Sequence, residues 1–199
     1  MKTSWWIGPL CALAVWWPSH AGAQALTAVQ QIAAAVLAAP EDVRAGAAVL
    51  GFAPDGRFVE LRPGGNEIVC HGDDPQAEGF EVSCFHRSVL PYISRGRELR
   101  AEGRSADDVR TTRMREMDEK KLPLPDAGAT QYILTGTYDP ANGAVANSYL
   151  RWVIYTPYAT AGSTGLTTRG GESLPWLMGS GTAGSHIMIV PPRRAAAGG

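Results

Sequence analysis

The chain has 199 residues, 18 Lys and Arg against 19 Asp and Glu, a formal net charge of −1, and three cysteines. A balance this close to neutral, with no dense basic run, excludes a phosphate-binding surface for nucleic acid and a polybasic segment for anionic lipid. The length fits one domain able to bury a sizeable core.

The N-terminus has the three parts of a secretory signal peptide: Lys2, an apolar run from Trp5 to Trp17, and a polar stretch from Pro18 to Ala21-Gly22-Ala23. Cleavage is expected after Ala23, with Ala23-Gln24-Ala25 as a second small-x-small position. The run is shorter than the roughly 20 residues of a membrane span, and no later segment approaches that length, so a soluble exported protein, periplasmic or secreted, is predicted. Cys11 sits in the signal core without the small residue that a lipid anchor needs before it. The expected organisation is a signal peptide over 1–23, a single globular domain over 24–190 and a disordered tail over 191–199.

Leu26 to Ala39 are helix formers with apolar residues at helical spacing, and Pro40 ends the predicted helix. Ala47 to Phe52 and Phe58 to Arg62 flank Pro54-Asp55-Gly56-Arg57 and predict a β-hairpin. From Pro63 to Cys84 the composition turns to Gly, Asp, Pro and Asn, and a long irregular excursion is expected there. Cys70 and Cys84, the two cysteines beyond the signal, should pair in an oxidising compartment, contributing roughly 3 kcal/mol through loop closure.

A short apolar stretch, Val89 to Ile93, precedes Ser105-Ala106-Asp107-Asp108, which resembles a capping box and starts a charged helix running to about Lys121. Its apolar positions, Val109, Met114 and Met117, make a poor stripe and predict a surface helix. Gln131 to Tyr138 and Tyr149 to Tyr155 read as a second hairpin. Leu174 to Met178 is an apolar island in a Gly-rich region, and His186 to Val190 is the last strand. The predicted fold class is α+β: an N-terminal helix on a mostly antiparallel sheet, with one disulfide-tied loop.

Several residue sets could carry chemistry. Gly179-Ser180-Gly181-Thr182-Ala183-Gly184 matches a dinucleotide fingerprint, but it lacks the strand before and the helix after that such a site needs, and reads as a flexible loop. His71, Asp73, His86 and His186 supply nitrogen and oxygen ligands for a metal ion, with the disulfide expected to bring His71 and His86 near each other. There is no nucleophile elbow, and Ser185 and His186, as neighbours in a strand, point to opposite faces. Trp152 and Trp176 are candidates for an aromatic ligand platform, with plain packing as the competing use.

The run Leu61-Arg62-Pro63-Gly64-Gly65-Asn66, then Cys70, Asp73-Asp74-Pro75, Cys84, Gly136 and His186-Ile187-Met188, resembles small exported bacterial proteins with a Leu-Arg-x-Gly-x-Asn segment ahead of a paired-cysteine loop and a C-terminal His-Ile-Met strand. The likeness spans roughly residues 48–190 and departs from that pattern in an insertion over about 88–126. It implies export and a bridged loop, and brings no activity with it. The expectation is a binding or accessory module without catalysis and with no cofactor, for a small-molecule or protein partner. The alternative is a hydrolase-like metal enzyme using the loop histidines.

Overall fold

The computed structural model describes residues 26–192. The expected signal peptide and all but the start of the expected tail lie outside them. Among the described residues no helix is long and apolar enough to cross a membrane.

The first helix, α1 (Ala28–Ala35), begins at Thr27, whose side chain accepts from the Gln30 amide while Gln30 reaches back to the Thr27 amide. It tightens into a 3-10 turn over Val36–Ala38 before Pro40, and a short helix, α2 (Glu41–Arg44), follows. Ala34, Ala35, Ala38 and Ala39 are buried, so the small residues let the helix lie close on the sheet.

Among the described residues there are eight strands: β1 (Ala48–Phe52), β2 (Phe58–Arg62), β3 (Ile68–His71), β4 (Phe80–His86), β5 (Thr130–Asp139), β6 (Ala144–Tyr155), β7 (Trp176–Met178) and β8 (His186–Ile189). They form one sheet in the order β2-β1-β3-β4-β5-β6-β8-β7. All neighbours are antiparallel except β1 and β3. This is the predicted α+β architecture, and both predicted hairpins and the last strand are present.

The segment expected to be an irregular excursion instead carries β3 and most of β4. Cys70 faces Cys84 directly across the β3–β4 pair, and the bridge joins two strands in the middle of the sheet. Only residues 72–79 between them remain a turn. Both cysteines are fully buried under α1, with the Cys84 sulfur 3.2 Å from the carbonyl oxygen of Ala35.

The insertion forms two helices, α3 (Leu90–Ala101) and α4 (Ala106–Asp118), which cover the sheet face opposite α1. Ser105 caps α4 as expected, accepting from the Asp108 amide. The helix lies on the surface, as expected, but it also packs inward: Val109 and Met117 are buried and Met114 packs into the second core. A half-turn of apolar residues is sufficient when the helix is clamped from α3 by Arg95, which donates to both carboxylate oxygens of Glu116 at 2.8 Å. A four-residue helix, α5 (Ala161–Thr164), lies in the connection from β6 to β7.

Candidate functional site

Register separates the predicted metal ligands. Ile68 pairs with His86 and Cys70 with Cys84, which places His86 on the disulfide face. His71 pairs with Ser83, one residue out of phase with the cysteines, and so lies on the other face. The expectation that the bridge brings His71 and His86 together is therefore wrong: a pleated strand sends alternate side chains to opposite sides. His86 Nδ1 is 2.9 Å from the Ser88 hydroxyl. His186, three strands further on, pairs with Tyr155 and holds its Nδ1 2.7 Å from the Gly184 carbonyl oxygen. Asp73 accepts from the Glu81 amide and closes the β3–β4 turn. Among the described residues no group of three or more His, Cys, Asp or Glu could hold a metal ion.

The other sequence candidates also separate. Trp152 pairs with Tyr132 and Ile189 on the α1 side, 37% exposed. Trp176 pairs with Met188 on the opposite side, its ring against Gly170. The two do not share a surface. The Gly179–Gly184 run is the turn between β7 and β8, with Gly179 and Gly181 at positive φ and the Thr182 amide donating to the Gly179 carbonyl oxygen. Ser185 is fully buried and its hydroxyl donates to the Ala159 carbonyl oxygen.

The Leu-Arg-x-Gly-x-Asn segment is a clasp. Arg62 donates to the carbonyl oxygens of Arg44 and Ala47, and Asn66 donates to that of Val43. Gly64 lies so close to Ala48 that a Cβ there would sit 2.9 Å from its backbone nitrogen. The most recognisable motif of the chain holds the turn before β1 in place.

Among the described residues, three concave regions bear on a ligand site. One, of about 480 Å3, lies between the start of α1 and the β1–β2 hairpin, lined by Leu26, Phe52, Pro54, Leu61 and Pro75 over Gln31. The Gln31 side-chain amide is fully engaged, donating to the Leu26 and Phe52 carbonyl oxygens and accepting from the Phe52 amide, and Asp73 at the rim accepts from the Glu81 amide through one carboxylate oxygen. A second, of about 610 Å3, runs over the β3–β4 turn to Tyr138. Both of these regions reach Leu26, the first described residue.

The third is a cleft of about 740 Å3 between the β1–β2 hairpin, α3 and the β3–β4 turn. Its apolar wall is Leu50, Phe52 and Phe58, and α3 contributes Arg97 and Arg100. Phe52 and Phe58 pair across the hairpin with ring centroids 5.1 Å apart. The guanidinium carbon of Arg97 stands 3.3 Å from the Phe58 centroid and 5.8 Å from that of Phe52. This is cation–π geometry. Among the described residues no hydrogen bond or ion pair within 4 Å engages that guanidinium; partial burial lowers its pKa, while the charge of Asp74 raises it. Phe58 also packs edge-on against His71, whose other neighbour is Phe85, with both centroid separations at 4.9 Å. His71 is buried, its Nε2 has no hydrogen-bond partner, and burial with Arg97 nearby pushes its pKa down to about 4.

Sequence reasoning missed Arg97 and Phe58. The hairpin is legible in the sequence, but α3 shows there only as a short apolar stretch, and nothing local places its arginines over the strand. Compared with known proteins, the chain matches no family model, no curated protein and no solved structure.

Proposed function

We propose that this chain is an exported, non-catalytic binding module whose ligand seats in the cleft between the β1–β2 hairpin and α3. The observation that carries the reading is Arg97: a cation held on an aromatic ring in a ligand-sized cleft, with its hydrogen-bond donors uncommitted. Convergent polar groups over an apolar wall are what a small-molecule site requires. The absence of catalysis in this reading is supported by how the reactive side chains are used. The Ser185 hydroxyl is bonded to backbone, and the ring neighbours of His71 are Phe58 and Phe85, which can neither take nor give a proton. Export is supported by the signal-like N-terminus and by a disulfide whose formation suits an oxidising compartment.

A fragment screen by amide NMR on the purified protein tests the site. Hits should move the resonances of Phe52, Phe58, Arg97 and Ser94, the last also lining the cleft from α3, and Arg97→Gln should abolish those shifts for anionic fragments. Shifts clustered elsewhere, or none at all, defeat the reading. Export is checked separately by N-terminal sequencing of the secreted protein, which should begin at Gln24 or Leu26.

A further inference from the structure

The charges of the cleft are sorted by wall. Arg97 and Arg100 come from α3; Glu60 comes from β2 and Asp74 from the β3–β4 turn. Glu98 also lines the cleft but is bound by Arg95 at 3.1 Å. Among the described residues neither arginine forms an ion pair within 4 Å, and neither does Glu60, while the Asp74 carboxylate accepts only the Gln76 amide. Opposite charges lining one cleft would ordinarily close on each other. Here Arg97 is held back because its guanidinium rests on Phe58, and the apolar wall of Leu50, Phe52 and Phe58 borders the space they share.

Resting on the binding-module reading, we infer that the cleft takes a small apolar zwitterion, an α-amino acid or a short peptide, with its carboxylate on Arg97 and Arg100 and its ammonium on Glu60 and Asp74. Guanidinium groups suit a carboxylate because their planar N–H forks can bond it in bidentate fashion. Exposed carboxylates suit an ammonium, which needs only a compact region of negative potential. An apolar side chain would cover Phe52 and Phe58, and a cleft of about 740 Å3 falls within the size range of small-molecule sites. A simple carboxylate would leave the acidic residues facing it, and a simple amine would leave the arginines unpaired. Only a ligand carrying both signs satisfies both sets, and this is where the specificity resides.

The test is calorimetric titration of the purified protein with four probes: L-phenylalanine, the dipeptide Phe-Phe, N-acetyl-phenylalanine and phenylalanine amide. At least one of the two zwitterions should bind about ten-fold or more tightly than both single-charge derivatives, and which of the two is tighter separates a free amino acid from a peptide. Arg97→Gln and Glu60→Gln should each weaken that probe about five-fold or more. Glu60 is exposed, so its variant remains a clean probe even if Arg97→Gln perturbs folding. Equal affinity for phenylalanine and its acetylated form, or no loss in Glu60→Gln, overturns the inference while leaving the fragment-binding cleft intact. Silence from all four probes overturns the inference too, and if the NMR screen is also silent the parent reading falls with it.

Discussion

Arg97 of α3 and Phe58 of β2 form a stacked cation–aromatic pair, 3.3 Å from guanidinium carbon to ring centroid, that joins the helical insertion to the edge of the sheet. Such a pair contributes about 0.5 to 2 kcal/mol according to its exposure. A double-mutant cycle of Arg97→Gln and Phe58→Leu, read by urea denaturation, should give a coupling in that range. A coupling indistinguishable from zero would mean that the arginine is merely parked over the ring.

Gln31 of α1 completes the ladder of β1 at Phe52. The last β3 partner, His71, lies opposite Leu50, and the Gln31 amide takes the place of a further strand residue by bonding both the N–H and the C=O of Phe52 at 2.8 and 2.9 Å. Gln31→Leu keeps the apolar packing but withdraws both partners. A loss of about 1 to 3 kcal/mol is expected from the orphaned backbone groups. Unchanged stability in chemical denaturation would show that water replaces the amide at no cost.

His71 sets a pH dependence. Its folded pKa, about 4, lies below the ordinary 6.5, so the unfolded chain binds the extra proton between those values. Stability from the neutral ring is therefore fully present above about pH 6.5 and is lost as the pH falls toward 4, by on the order of 3 kcal/mol in all. His186 is shifted in the same direction by burial, and Asp73 is raised, which acts in the opposite sense nearer pH 4. The difference between the protein and His71→Gln isolates the His71 share: the variant should lose markedly less stability between pH 7 and 5. Parallel curves would contradict the assignment.

Replacing both Cys70 and Cys84 by Ala should cost about 3 kcal/mol through the freed unfolded chain. Because both sulfurs are buried beneath α1, reductant and a thiol-labelling reagent together should modify the intact protein only once denaturant is added. Rapid labelling under native conditions would show that α1 lifts from the sheet.

The clasp around Arg62, Gly64 and Asn66 yields a sharper case. A Cβ on Gly64 would meet the Cβ and the backbone nitrogen of Ala48, both at 2.9 Å, and backbone cannot step aside as a side-chain tip can. Gly64→Ala should destabilise by about 1 to 3 kcal/mol, as overpacking does, without altering ligand binding in the cleft. A neutral thermal melt would count against the clasp.

Much of the fold was legible because local chemistry speaks for it. Thr27 and Pro40 bracket the first helix, Asp55-Gly56 and Asn142-Gly143 mark hairpin turns, and runs such as Tyr132 to Leu134 suit a sheet. The failures have equally local causes. Ile68–His71 is a four-residue strand beside a Gly- and Asp-rich turn, so composition hid it. Leu90–Ala101 carries Pro91 near its start, Gly96 inside it and arginines around it, which blurs the apolar stripe. Gly96 is there because Arg113 of α4 fills the space: a Cβ would lie 2.8 Å from its guanidinium.

The sequence by itself determined the class of the fold, the pairing of Cys70 with Cys84 and the expectation of export, since each follows from residue type and short-range spacing. Tertiary structure decided the rest. Strand phase put His71 and His86 on opposite faces, because His71 directly follows Cys70 whereas His86 lies two residues after Cys84. The return of α3 over β2 set Arg97 on Phe58 and lined one cleft with opposite charges. Which side chains meet across a sheet depends on register and on the layer packed above it, and neither is written in any local run of residues.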